Sequence, residues 1–487
     1  MIRQTAIGLG FLIAVAAGLW LLVARHQRTD AEPMRVALRA EIDSASCGGL
    51  RRAQVLGRRL LLNDAGDHGA RAALALAGAM LAIECAEPLT EDAVHTAEEP
   101  DFGGDERAVA EVVAARALLR IAGGWSVEAV REAESAVAAA PGTPQPLYAL
   151  GRVRGRAGDL VGASRALEGA MVAGPSFLPA RLAWAEIRLD LGDAGTAAEA
   201  LRVLPPSDLR TQLLADEVEQ ARGGQTSAAS TSPAALDAAC DESRVSSVLD
   251  AANCALRDAT RARLSGDRAL ARKRALAAAD RVPADPRLLG RVAATLAELG
   301  AIDRAAGLLA RGEKLAAPGT PALAWAALAI ALGRGRALPR PSAPRPPAPE
   351  GPLLEARAAL ASGGIGALAA LEERLGAPDQ DPDRAQLALL VKGPASAAAV
   401  DRPAGDAGRA TGQAHPVAAY VAGLRARLAG DLPGAAEQLS HALTGHGDAC
   451  RAAGEYVALL RALKRKPAPE VFAALRAENV GCVNLPR

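Results

Sequence analysis

The six cysteines of this 487-residue chain are its best candidates for covalent chemistry, and they fall into three sequence-local couples: Cys47 with Cys85, Cys240 with Cys254, and Cys450 with Cys482. Each couple lies within reach of one or two helical hairpins. That predicts three disulfides and an oxidising compartment, with six buried thiols as the alternative. No CxxC occurs, so neither a zinc site nor thioredoxin-type redox chemistry is indicated. The six histidines (His26, His68, His95, His415, His441 and His446) do not make a metal-ligand set; the last two read as exposed loop residues. The strings GDHG, SGGIG and TGHGD lack the strand and Lys-Ser/Thr context of a phosphate cradle, and no GxSxG occurs. The expectation is therefore no enzyme, no cofactor and no metal.

Composition decides what kind of elements carry these residues. Aromatics number only 11 (4 Trp, 3 Tyr, 4 Phe), half the chain is apolar and Ala is abundant. Small side chains suit closely packed helices and suit strands poorly, which predicts an all-α protein. A net charge of +1 gives no concentrated basic surface for nucleic acid, so no nucleic-acid partner is expected.

Residues 6–24 (AIGLGFLIAVAAGLWLLVA) carry no charge over 19 positions, enough as a helix to cross a bilayer core. Trp20 sits near one end, where an indole favours the interface. A cleaved signal peptide is the rival, with Ala14-Val15-Ala16 as its cleavage site, but it would leave apolar GLWLLV at the mature terminus. An uncleaved single-pass anchor in a bacterial inner membrane is the expectation. Its orientation is contested: Arg25, Arg28, Arg35 and Arg39 argue for a cytoplasmic bulk, whereas the cysteine couples argue for a periplasmic one, which is preferred.

Within residues 144–175, Leu147, Leu150 and Gly151 share one helical face. Gly158-Asp159 breaks the helix, Ala163, Leu167 and Ala170 form the next apolar stripe, and Pro175 closes it. Moving 34 residues back from Gly158 lands on Gly124, with Ala129, Ala133 and Ala136 after it; moving forward lands on Gly192-Asp193, with Ala197 and Leu201. A second series starts at Gly266-Asp267, with Ala271, Ala275 and Ala278, and steps to Gly300 and then to Gly333–Gly335. A further unit starts at Gly430-Asp431. This pattern resembles the tetratricopeptide repeat, a 34-residue helix–turn–helix unit. It departs from the family at Leu147, Arg154 and Leu167, where Trp, Tyr and Phe are usual. The resemblance implies stacked hairpins in a right-handed superhelical solenoid with a concave groove. It also implies that ligand-facing residues lie on the first helix of each hairpin: Tyr148, Arg152 and Arg156; Leu182, Glu186 and Asp190; and, in the second series, Leu256, Arg263, Arg287 and Glu298. Arg152 and Arg156 are one turn apart and suit an acidic side chain or a chain terminus, with a solvated basic face as the alternative.

These signals divide the chain into a membrane anchor (1–30), a divergent helical cap with an acidic loop (31–107), a first array (108–221), a flexible linker (222–233) and a second array (234–335). A Pro-rich spacer (336–352), a hairpin with a low-complexity linker (353–414) and a last array (415–487) follow. The expected function is a membrane-anchored protein–protein interaction scaffold, in envelope assembly, secretion or maturation. Its partners would be proteins, with the bilayer contacted through residues 6–24. A cytoplasm-facing adaptor of an inner-membrane machine and a non-catalytic regulatory subunit of an envelope enzyme are the alternatives.

Overall fold

A computed structural model describes residues 31–44, 46–98, 105–205, 208–222, 233–241, 245, 247–317, 320–336, 338, 341, 350–369, 416–443 and 449–466. Among the described residues every regular element is a helix and none is a strand. The first helix, α1, spans 31–43. It is followed by α2 (Cys47–Asn63), α3 (His68–Glu84), α4 (Glu91–Glu98), α5 (Glu106–Gly123), α6 (Val127–Ala139), α7 (Pro144–Arg156), α8 (Leu160–Ala173), α9 (Leu178–Asp190), α10 (Ala194–Leu201) and α11 (Leu209–Ala221). Beyond these lie α12 (Pro233–Ala239), α13 (Val248–Leu264), α14 (Arg268–Arg281), α15 (Pro286–Glu298), α16 (Ile302–Glu313), α17 (Pro321–Gly333), α18 (Glu350–Ala369), α19 (Pro416–Leu428), α20 (Leu432–His441) and α21 (Ala449–Ala462).

The 34-residue turns fall where the spacing places them. Gly158 sits at φ +80° and Gly266 at +86°, and Gly124, Gly192, Gly300, Gly335 and Gly430 share the positive φ that a Cβ resists. The Asp after the Gly then caps the following helix: Asp159 accepts from the Gly162 amide at 2.8 Å, and Asp193, Asp267 and Asp431 repeat the bond to Thr196, Leu270 and Gly434. Five residues beyond six of these glycines, all but Gly335, stands an alanine that is fully buried: Ala129, Ala163, Ala197, Ala271, Ala305 and Ala435. Close approach of the paired helices is the reason, since a Cβ on Gly151 would overlap the Leu167 side chain. Asp159→Ala is expected to cost about 1 kcal/mol, read as a lower denaturant midpoint with an unchanged slope.

Helices pack first with their hairpin partners (α7 on α8, α13 on α14, α15 on α16, α19 on α20). The first helices of successive hairpins then lie against each other, α3 on α5, α5 on α7 and α15 on α17. One apolar core runs from Ala31 to Ile187, a second from Leu249 to Leu354, and a third joins Leu353, Ala356 and Leu360 of α18 to α19, α20 and α21. The Cys47–Cys85 disulfide ties the start of α2 to the end of α3. Cys240–Cys254 ties the segment after α12 to α13, where Leu213, Leu236 and Cys254 pack together. No described cysteine is a free thiol; Cys482, the expected partner of Cys450, lies outside the described residues.

The second array folds back on the first. The Ala317 amide donates to the Arg156 carbonyl at 3.3 Å, and the Lys314 carbonyl rests on Gly124. Among the described residues no helix is long and apolar enough to cross a membrane. The expected anchor at 6–24 lies outside the described residues, as do most of the 222–233 linker and of the 336–352 spacer, residues 370–415, and His26, His415 and His446.

Candidate functional site

The last residue of α3 organises the inner face of the first array. Glu84 is 4 % exposed, and its carboxylate receives the Tyr148 hydroxyl, the Arg152 guanidinium (Nε at 2.6 Å) and Arg210. Arg210 also donates to the Glu84 backbone carbonyl at 3.2 Å. Repeat stacking supplies the next link: Arg152 and Glu186 stand 34 residues apart, so they occupy equivalent places on α7 and α9, and Nη1 reaches Oε2 at 2.6 Å. Arg210 closes the ring on Glu186 at 2.8 Å. Tyr148 is held from its other side by Phe177, ring edge to ring face at 5.4 Å.

A second set joins the two arrays. Arg287, in the first turn of α15, donates to Asp190 on α9 at 2.9 Å and to Glu217 on α11 at 2.6 Å. Glu217 also takes Arg291 at 2.8 Å. Arg156 donates to Asp285, the N-cap of α15, at 2.9 Å. Arg257 on α13 pairs with Asp237 at 2.7 Å and faces Asp216 on α11. Together α7, α9, α11, α13 and α15 surround a half-enclosed cavity of about 140 Å3, with Leu213, Gln220, Leu249 and Asn253 among its walls.

The residues expected to face a ligand are thus largely engaged with one another. Tyr148, Arg152 and Glu186 belong to the Glu84 cluster, while Arg156, Asp190 and Arg287 bridge the arrays. Arg263 and Glu298 are buried in the second array, Glu298 held by Arg357 of α18, and Leu182 and Leu256 are core residues. Sequence reasoning missed Glu84, Arg210, Glu217, Asp285 and Arg291. Only Glu84 carried a signal, as the lone acid ending the apolar run of α3. Arg210 and Glu217 lie beyond Gly192, the last turn of the first 34-residue series.

Burial opposes charge throughout this site, and the arginines outweigh it. At Glu84, burial would raise the pKa, yet Arg152 and Arg210 hold it below the ordinary value. Glu186, with Arg152, Arg210 and Arg287, lies far below it, and Glu217 is lowered by Arg287 and Arg291. Asp190 goes the other way, because burial and the Glu217 charge exceed what Arg287 supplies. Arg156, buried with Asp285 as its carboxylate, is lowered. Depressed carboxyls stabilise the fold above their unfolded value near 4.5 and lose that contribution as pH falls through the folded values. Asp190 has the opposite sign and offsets part of the loss. Melting temperature is expected to fall progressively below about pH 5 and to be falling still at about pH 2, less steeply in Glu186→Gln than in the parent chain.

Among the described residues no group of three His, Cys, Asp or Glu is placed to hold a metal. No protein-family profile matches the chain and no curated protein matches its sequence.

Proposed function

We propose that the protein is a membrane-anchored scaffold built from tetratricopeptide-like hairpins in a right-handed superhelix, which recruits protein partners through the inner face where the two arrays meet. The observation that carries this reading is the recurrence, at 34-residue steps, of one turn stereochemistry with one buried alanine behind it. Repeated hairpins of this kind build an extended inner surface, and here that surface surrounds a cavity with both polar and apolar walls. The two disulfides support placement of the bulk in an oxidising compartment, the periplasm. Residues 6–24 would hold it at the membrane and raise its local concentration near membrane-bound partners.

Photo-crosslinking in cells tests the reading. A photoreactive residue in place of Gln220, at the cavity, is expected to give a discrete protein adduct; one in place of Val172, 78 % exposed on α8, is not. Adducts from Val172 with none from Gln220 would move the partner to the outer face and overturn the proposal.

A further inference from the structure

One second helix of the second array, α14, differs in charge from its counterparts in the first. In the first array, α6, α8 and α10 carry Glu128, Glu132, Glu134, Glu168 and Glu199 against Arg131 and Arg165. In the second, α14 alone carries Arg268, Arg272, Lys273, Arg274 and Arg281 against Asp280. A chain of net charge +1 thus places a net charge of +4 on one 14-residue helix.

The helix has two distinct faces. Ala271, Ala275 and Ala278 are fully buried against the array. Leu270, Lys273, Arg274 and Arg281 are exposed on a stripe at i, i+3, i+4 and i+11, with Leu270 41 % exposed among the cations. Asp280, the one carboxylate of α14, pairs with Arg304 of α16, a helix whose own charges balance, Arg304 and Arg311 standing against Asp303 and Glu313; the net positive charge therefore belongs to α14. Exposed Lys314 follows α16. An exposed leucine followed one turn on by exposed Lys273 and Arg274 suits the boundary between headgroups and acyl chains better than it suits water.

We propose that the outer face of α14 docks on an anionic phospholipid surface, laying the second array along the bilayer. The proposal rests on the anchor reading of residues 6–24 only for keeping a bilayer within reach; the headgroup contact is a property of α14 itself.

The full chain, reconstituted in vesicles and carrying an environment-sensitive dye at Ala269→Cys on the exposed side of α14, provides the test. Quenching by headgroup-labelled lipid is expected in vesicles rich in phosphatidylglycerol. It is expected to be weak in phosphatidylcholine and to disappear near 1 M salt, where the screening length falls to about 3 Å. Lys273→Gln with Arg274→Gln, both exposed, should leave the melting temperature unchanged and weaken docking about 30-fold, at roughly fivefold per cation. Equal quenching in neutral and anionic vesicles would overturn the proposal, as would no quenching in either. Quenching in native membranes but not in pure lipid would also overturn it, by pointing to an acidic protein instead. Resistance to alkaline extraction reports on the anchor separately, so failure of docking and failure of the anchor are distinguishable.

Discussion

Glu84→Gln is expected to destabilise the protein by about 3 kcal/mol, because it leaves two largely covered guanidiniums sharing Glu186 alone. The argument rests on geometry. One carboxylate, 4 % exposed, neutralises Arg152 and Arg210 and accepts from Tyr148, while the Glu84 carbonyl takes a further bond from Arg210. A neutral amide keeps the shape and removes the charge, so the loss is electrostatic and not a packing defect. Tyr148→Phe, which deletes one hydrogen bond to the same group, should cost roughly 1–3 kcal/mol. Glu134→Gln is the control: its pair with Arg154 lies at the surface and its removal should cost under about 1 kcal/mol. Calorimetry of the full chain reads all three, and equal melting temperatures for Glu84→Gln and Glu134→Gln would show that the Glu84 cluster does not support the fold.

Loss of the Cys47–Cys85 disulfide, as the double change Cys47→Ala and Cys85→Ala, should cost about 4 kcal/mol, from the entropy its 38-residue span removes from the unfolded chain. The 14-residue span of Cys240–Cys254 predicts about 3 kcal/mol for its double alanine variant. The two losses should also differ in place. Cys85 directly follows Glu84, so hydrogen exchange is expected to rise in α3, α7 and α11 in the first variant. In the second it should rise where α12 and α13 meet α11. Identical exchange patterns in the two variants would contradict local stapling.

Turn positions and burial were legible because they depend on near neighbours. Gly158-Asp159 breaks and caps a helix whatever surrounds it, and Ala163 must be small because its own hairpin partner lies beside it. The cysteine couples Cys47–Cys85 and Cys240–Cys254 were legible for the same reason, each spanning neighbouring helices. The site was legible only as a set of faces. Arg152, Glu186, Asp190 and Arg287 were picked out as pointing inward, but nothing in their spacing told that they would point at one another.

By itself, then, the sequence determined the helical class, the hairpin register, the caps and two disulfides, since these follow from backbone conformation and contacts within one or two hairpins. The tertiary structure alone decided that the second array folds onto the first. Arg156 meets Asp285 across 129 residues and Arg287 meets Asp190 across 97. Such pairs are set by the accumulated rotation of many stacked helices, and a local pattern carries no record of that sum.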